Sequence, residues 1–228
     1  MQAQSDLARQ SDLVVAAALR VEARALRRGL PGLRILRTGM GPERARAAAA
    51  RLLAEAAPAV ALAGLCGALD PALAPGALVV ASELRGDGGA ALHLEPAAIC
   101  AALERVSLTA RVGPLISVDH VVRGAERERL HRGGAIAADM ESAWLARAAD
   151  PRPLAVLRVV LDAPGHELRR LALLRELLRA LRRLREAAPA LAIWASAQRS
   201  PESPRTSKRG PAPASARRPG ATRSSSVC

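Results

Sequence analysis

Two carboxylates in this chain each follow a short apolar run, which is where α/β enzymes place reactive groups. Glu141 stands in the segment Ala138–Ser142, and Asp162 ends the run Leu157–Asp162. Such a run predicts a buried strand, and the carboxyl ends of strands border the active sites of α/β folds. Glu141 could accept two hydrogen bonds from a vicinal diol such as that of a ribose, and Asp162 could donate a proton. A helix-start acid and a turn aspartate are the plain structural alternatives.

A third carboxylate, Glu22, follows the first apolar run, Leu13–Leu19, by a few residues. It could orient or deprotonate a water molecule, although a surface helix acid is the simpler interpretation. His120 could lie near a pocket or in a loop. The histidines form no pair with the spacing of metal ligands, so we predict no metal site.

Two glycine-containing segments also follow apolar runs. Gly39 and Gly41 precede a predicted helix, where free backbone N–H groups suit an anion. Gly64, Cys66 and Gly67 form the second segment, whose small residues would let a flat ligand lie against the backbone. A tight turn is the alternative for both segments. We interpret Cys66 as a small buried hydrophobe rather than as a nucleophile.

The elements that must position these residues alternate between apolar runs and helical patterns. This alternation predicts an α/β sandwich with a largely parallel or mixed sheet, forming one domain over residues 1–198. The core lacks Phe and Tyr and has only Trp144 and Trp194 as aromatic residues. The predicted strands are Leu13–Leu19, Leu33–Leu36, Ala59–Gly64, Leu78–Ser82, Leu108–Ile116, Ala135–Ala138 and Leu154–Leu161.

The formal charge of +13 comes almost wholly from arginine, with Lys208 as the only lysine. An arginine-rich, lysine-poor composition is typical of a GC-rich genome, so we do not take the charge as a sign of nucleic-acid binding. Residues 199–228 are rich in Pro, Ser and Arg and are predicted to be a disordered tail. The tail has no aromatic residue for base stacking, so we expect no specific nucleic-acid partner.

The segment Leu168–Ala187 predicts an amphipathic helix with many arginines. Its leucine stripe could cover the sheet while the arginines face solvent, or the helix could contact an anionic membrane surface. The stripe consists of Leu171, Leu174, Leu178 and Leu181.

The cysteines favour a reducing compartment. Cys66, Cys100 and Cys228 are odd in number and form no C-x-x-C pair, which fits poorly with a disulfide scaffold or a zinc site. The apolar run Leu13–Leu19 is too short to span a membrane. We therefore expect a cytoplasmic protein, located at the inner membrane face if the basic helix contacts lipid.

Three of these segments together resemble the purine nucleoside phosphorylase and methylthioadenosine nucleosidase superfamily. They are Ala138–Ser142, Arg158–Asp162 and Gly64–Pro71, and the resemblance extends over roughly Leu13–Pro164. It implies a three-layer α/β/α sandwich with a central mixed sheet. It also implies cleavage of a purine N-glycosidic bond without a cofactor, with phosphate as a candidate co-substrate, by a homo-oligomer acting on a small nucleoside.

The resemblance assigns roles to individual residues. Glu141, after Met140, would bind the ribose 2′- and 3′-hydroxyls, and Asp162 would protonate the purine at N7. Glu22 would activate the attacking water, as in the nucleosidase branch. Val121 stands where the family usually carries an aromatic residue that stacks on the base. Gly64, Cys66 and Gly67 would line the substrate pocket.

Departures from the family pattern narrow the choice of substrate. Hexameric phosphorylases carry an arginine and a serine for phosphate where this chain has Leu62 and Leu65, and Leu161 replaces a common serine. The apolar site looks most like that of the hopanoid-associated phosphorylases, which release adenine from adenosylhopane. The alternatives are a nucleosidase for methylthioadenosine, adenosylhomocysteine or futalosine, and a nucleoside-binding or membrane-adaptor protein without turnover.

Overall fold

The computed structural model describes residues 12–86, 90–163, 170–199 and 226–227. Strands and helices alternate along most of this chain. The strands are β1 (Leu13–Ala17), β2 (Arg34–Arg37), β3 (Ala59–Ala68), β4 (Leu78–Gly86), β5 (Leu92–His93), β6 (Arg111–Ser117), β7 (Ala137–Asp139), β8 (Leu154–Asp162) and β9 (Ser226–Val227). The helices are α1 (Arg20–Gly29), α2 (Pro42–Leu53), α3 (Ala97–Glu104), α4 (Ala125–Arg132), α5 (Ser142–Ala146) and α6 (Arg170–Ala197), with a 3₁₀ turn at Arg147–Ala149.

All nine described strands belong to one mixed sheet. The strands β2, β1, β3 and β8 run parallel to one another, and β8 also pairs antiparallel with β4. Because β4 pairs with β6, β6 with β7, and β7 with the end of β3, five strands close into a ring. The prediction of a mixed central sheet is confirmed. Within the ring, β8 lies between β3 and β4 and pairs with both.

Helices cover both faces of this sheet. Alternate residues of β1 point to opposite sides, with Leu13 and Val15 in one apolar cluster and Val14 and Ala16 in the other. Helices α1, α3 and α6 pack on the first side, and α2 and α5 pack on the second. Burial on both sides explains why the strands were visible in the sequence as nearly continuous apolar runs.

Of the helix predicted over Leu168–Ala187, the first two residues lie outside the described residues, and the described helix spans Arg170–Ala197. In its predicted leucine stripe, Leu174 and Leu178 are 62% and 60% exposed. The buried side is the opposite face of the helix, which includes Ala180 and Leu184 and packs on the first side of the sheet. Helix α1 also packs closely against α6, since a Cβ on Gly29 would overlap the carbonyl oxygen of Arg185. The residues of the buried side are Ala180, Leu184, Ala187, Ala188, Ala190, Leu191, Trp194 and Ala195.

The predicted tail is described only at Arg199 and at Ser226–Val227, which pairs antiparallel with Arg111–Val112 of β6. Residues 200–225 and 228 lie outside the described residues, and their disorder stays a prediction. Cys66 is a free, buried thiol, whereas Cys100 forms a disulfide bond, which differs from the expectation of reduced cysteines.

Across the described part of the chain, no helix combines the length and apolar character needed to cross a bilayer.

Candidate active site

A cleft lies at the carboxyl ends of the strands, and most of the predicted site residues line it. Its walls come from the segments that follow β1, β2, β6 and β7 and from the last residues of β3 and β8. Gly39, Gly41 and Gly64 do not line the cleft but lie behind residues that do. The predicted residues that line it are Glu22, Cys66, Gly67, Val121, Met140, Glu141 and Asp162.

Glu22 lies in the first turn of α1, directly after β1, and is only 2% exposed. Both of its carboxylate oxygens accept backbone hydrogen bonds: the N–H of Leu65 donates to Oε1 (2.8 Å) and the N–H of Leu19 donates to Oε2 (2.7 Å). These contacts fix the carboxylate between β1 and β3. Each oxygen keeps a second lone pair, so Glu22 can also accept a proton or a hydrogen bond from a water in the cleft.

Arg158, the first residue of the segment Arg158–Asp162, is a buried residue whose guanidinium lies beneath the cleft. It is 2% exposed, and its Nη2 lies 2.6 Å from Oδ2 of Asp139 and 2.6 Å from Oγ of Ser142. Gly64 makes room for it, since a Cβ there would lie 2.7 Å from Arg158 Nη1 and 2.8 Å from Glu22 Oε1. A charged residue inside an apolar strand was the signal in the sequence, because a buried arginine requires partners.

Asp139 organises the segment that carries Glu141. Its Oδ1 accepts the N–H groups of Glu141 (3.3 Å) and Ser142 (3.2 Å) and the hydroxyl of Ser117 (2.5 Å). The carboxylate therefore satisfies free donors at the start of α5, as a capping residue does. Asp139 and Ser142 hold the segment in place, so that Met140 and Glu141 line the cleft.

Glu141 is 5% exposed and accepts a hydrogen bond from the N–H of Gly41 (3.0 Å). Gly41 has a φ of 95°, a conformation that favours glycine. The N–H of Gly39 donates to the carbonyl of Ala18 (3.2 Å). An anion bound by these two N–H groups would displace both hydrogen bonds, so the anion site at Gly39 and Gly41 stays a prediction. In this structure Gly41 holds Glu141.

The buried cluster contains three carboxylates, Glu22, Asp139 and Glu141, around the single guanidinium of Arg158. Burial removes water from a carboxylate and favours its protonated form. Burial raises the pKa of Glu22, and burial together with the negative charge of Asp139 raises the pKa of Glu141 to about 7. The cluster therefore binds a proton readily near neutral pH and is unfavourable for a further anion.

Asp162 stands at the end of β8, opposite Gly67, where the register between β3 and β8 shifts. A Cβ on Gly67 would lie 3.0 Å from Asp162 Oδ1, so the glycine leaves space for the carboxylate. Asp162 forms an ion pair with Nη2 of Arg127, a buried residue in the first turn of α4. Sequence reasoning missed Arg127 because it stands in a helix rich in charged residues, where it resembles a solvent-exposed position.

The remaining predicted residues form the rest of the cleft wall. Burial raises the pKa of the Cys66 thiol, so the thiol stays protonated and fits a packing role rather than a nucleophilic one. Val121 and Met40 line the cleft while remaining 52% and 48% exposed. They place an apolar surface at the mouth of the cleft.

His120 lines the cleft from the exposed segment between β6 and α4. Its Nδ1 lies 2.6 Å from Oδ1 of Asp119, and its Nε2 lies 2.8 Å from Oε2 of Glu126. Hydrogen bonds to Asp119 and Glu126 raise the pKa of His120. Among the described residues, no group of three or more His, Cys, Asp or Glu side chains is arranged to hold a metal ion.

Comparison with known proteins finds one family. Residues 32–193 match the family model described as the Phosphorylase superfamily. No curated protein matches the chain.

Solved structures of low sequence identity share the fold. A futalosine hydrolase mutant of Helicobacter pylori strain 26695 has a TM-score of 0.68 at 16% identity, covering 78% of this chain and 97% of that one. The 5′-methylthioadenosine/S-adenosylhomocysteine nucleosidase of Campylobacter jejuni has a TM-score of 0.69 at 16% identity, with coverage of 79% and 97%. The corresponding enzyme of Neisseria meningitidis, in complex with methylthio-immucillin-A, has a TM-score of 0.65 at 21% identity, with coverage of 78% and 97%.

Proposed function

Because the chain belongs to the phosphorylase superfamily, we propose that it cleaves the N-glycosidic bond of a 5′-modified purine nucleoside, with water as the nucleophile. One observation carries this proposal: Glu22, Glu141 and Asp162, from three separate parts of the chain, line one cleft. The similar solved structures include nucleosidases, which supports the same reaction class.

The three carboxylates supply complementary steps. Glu141 accepts hydrogen bonds from the ribose 2′- and 3′-hydroxyls and stabilises positive charge on the sugar as the bond to the base lengthens. Asp162 delivers a proton to N7 of the purine, so that the electron pair of the breaking C1′–N9 bond leaves on a neutral base. Glu22 takes a proton from the water whose oxygen bonds to C1′. The products are the free sugar and the free base.

Electrostatics around the cleft favours water over phosphate. Arg127 is the one arginine among the described residues that line it, and it is paired with Asp162 at the end proposed for the base. Arg158 is bound to Asp139 and Ser142, and Glu22 and Glu141 face the sugar. A phosphate dianion at C1′ would meet two carboxylates, and like charges at close range repel.

Product analysis tests the reaction. We expect the protein to release a purine base and a free pentose from 5′-methylthio or 5′-alkyl nucleosides, at a rate that does not depend on inorganic phosphate. Chromatography of the products, with and without phosphate, provides the measurement. Formation of a pentose 1-phosphate would instead show phosphorolysis, and the absence of any released base would remove the proposed function. Glu22→Gln, which keeps the shape of the side chain but cannot act as a base, is the matched inactive control.

The apolar mouth of the cleft favours an apolar 5′ substituent. If Asp162 faces the base and Glu141 the ribose, Met40 and Val121 lie beside the part of the substrate that extends outwards. A bulky lipid 5′ group like that of adenosylhopane suits this surface, as the resemblance to hopanoid-associated enzymes implies. A small 5′-thioether group like that of methylthioadenosine is the second candidate.

We also propose that the exposed face of α6 from Leu174 to Arg185 contacts an anionic membrane surface at the cytoplasmic face. Leu174 and Leu178 are exposed there, and Arg182 and Arg185, four and seven residues after Leu178, lie on the same face of the helix. Both arginines are exposed, so their charges can approach lipid headgroups. A lipid-linked substrate would make such a contact useful.

Vesicle co-sedimentation tests the membrane contact. We expect binding to anionic vesicles at low salt, little binding to neutral vesicles, and release at high salt. Each arginine near the surface contributes about 1 kcal/mol, so Arg182→Gln/Arg185→Gln should weaken binding roughly thirtyfold. Arg51→Gln/Arg105→Gln, with one exposed arginine in α2 and one directly after α3, is the charge-matched control. Equal binding to both vesicle types would leave α6 with a purely structural role.

A further inference from the structure

Arg127 is held rigidly at the end of the cleft that contains Asp162. Its Nη1 donates to the carbonyl of Ala68 (2.7 Å), its Nε donates to the carbonyl of Val122 (3.2 Å), and its Nη2 is paired with Asp162. The residue is 5% exposed and lines the cleft. Because these contacts come from β3, from the segment before α4 and from β8, the guanidinium cannot turn away without breaking all three.

The end of the cleft beside Asp162 is therefore rich in hydrogen-bond donors. An arginine has five N–H groups, no acceptor, and a charge that it does not lose in proteins. The three contacts above engage three of those N–H groups. A ligand binds most tightly here if the edge that faces Arg127 carries a hydrogen-bond acceptor. An edge that carries N–H groups binds more weakly, because donors on both sides are then left without an acceptor.

Purines differ in the substituent at C6, which lies on the same edge of the ring as N7. If N7 lies against Asp162, the substituent at C6 is the next group along the same edge. In a 6-oxopurine that group is a carbonyl acceptor, and arginine is the side chain that most often reads the O6 and N7 edge of such a base. In a 6-aminopurine the group is an N–H donor, which faces the donors of Arg127.

We propose that Arg127 makes the site selective for nucleosides of 6-oxopurines. This inference rests on the proposed N-glycosidic cleavage, and it differs from the release of adenine that the family resemblance implied. The O6 atom accepts the N–H of Arg127 that is paired with Asp162 in this structure. Asp162 is then free to carry the proton that it delivers to N7. As the C1′–N9 bond breaks, the electron pair moves onto the base, where the guanidinium also stabilises charge that develops on O6.

The test compares two substrates that differ only at C6. Wild-type protein is assayed with 5′-methylthioinosine and 5′-methylthioadenosine, which share the same 5′ group. We expect kcat/KM for the 6-oxo substrate to be about ten- to a hundredfold higher, the discrimination given by one good hydrogen-bonded base contact. In Arg127→Met this ratio should fall towards one, whereas Arg127→Lys should keep part of it.

The ratio of kcat/KM for the two substrates distinguishes a role of Arg127 in specificity from a structural role. Loss of folded protein would lower the rates with both substrates equally and leave the ratio unchanged. Arg129→Met, on the same helix but with a side chain 67% exposed, should leave the ratio unchanged. A wild-type preference for the 6-amino substrate, or a ratio that Arg127→Met does not alter, would overturn the inference while leaving the proposed reaction intact. Release of no base from either substrate would instead count against the proposed function.

Discussion

Replacing Asp162 by asparagine is expected to lower kcat by about two to four orders of magnitude, the usual contribution of a positioned proton donor. The amide keeps the size of the carboxyl group, so it still fits the space that Gly67 leaves at the end of β8. It cannot deliver a proton to N7, and the base must then leave with its negative charge. The measurement is kcat from the rate of base release, together with KM, which should change far less.

The substitution also removes the partner of a buried charge. Arg127 would keep its two carbonyl contacts but lose the carboxylate, and an uncompensated buried charge costs about 3–5 kcal/mol of stability. The melting temperature of Asp162→Asn must therefore be measured beside its kinetics, at a temperature where the variant is fully folded. Near-normal turnover in the folded variant would remove Asp162 from the mechanism.

Replacing Glu141 by glutamine is expected to have opposite effects on activity and on stability. Loss of a hydrogen bond to a charged group costs about 1.5–3 kcal/mol, so kcat/KM should fall about ten- to a hundredfold. The folded protein should nevertheless become more stable at alkaline pH. The amide oxygen can still accept the N–H of Gly41, but no negative charge is then buried beside Asp139.

The sign of the stability effect follows from the pKa of Glu141, which folding raises from 4.5 to about 7. Between those values the folded state binds more protons than the unfolded state, so wild-type stability falls as pH rises through this window. The fall corresponds to about 3 kcal/mol and is complete by about pH 8. Denaturant unfolding of both proteins at about pH 4 and pH 8 measures it. A stability difference that does not grow with pH would contradict the assignment.

The wild-type pH–rate profile provides a control on the same group. Glu141 binds the ribose hydroxyls best as a carboxylate, so kcat/KM should rise with pH through about 7 as the group ionises. The glutamine variant should lack that rise unless the ionisation of Glu22 produces it.

The strands and the residues at their ends could be predicted because burial on both faces leaves a clear pattern in the sequence. Leu13–Leu19 and Leu154–Leu161 were recognisable as apolar runs, and the acids beside them stood out. Arg158 and Arg127 were harder to interpret, because their roles depend on partners distant in sequence. Nη2 of Arg158 pairs with Asp139 and contacts Ser142, and Arg127 pairs with Asp162. These pairings arise only from the sheet topology.

The packing of α6 could not be predicted for a related reason. Its leucine stripe obeys helical spacing, yet Leu174 and Leu178 remain exposed because the rest of the protein covers the opposite face of the helix, which carries Ala180 and Leu184. Hydrophobic periodicity shows which residues share a helix face. Because α6 has apolar residues on more than one face, periodicity does not show which face a neighbouring element covers.

The position of β8 in the ring has a consequence for folding. β8 comes late in the sequence, yet it pairs with β3 and β4, which come from the first half of the chain. Contacts between such distant segments form slowly, because a long loop must close before they stabilise anything. Until β8 is in place, β3 and β4 each present an unpaired edge that can pair with another chain. The strand that carries Asp162 is thus also the strand that protects a nascent chain from aggregation, so incomplete chains are both inactive and prone to self-association.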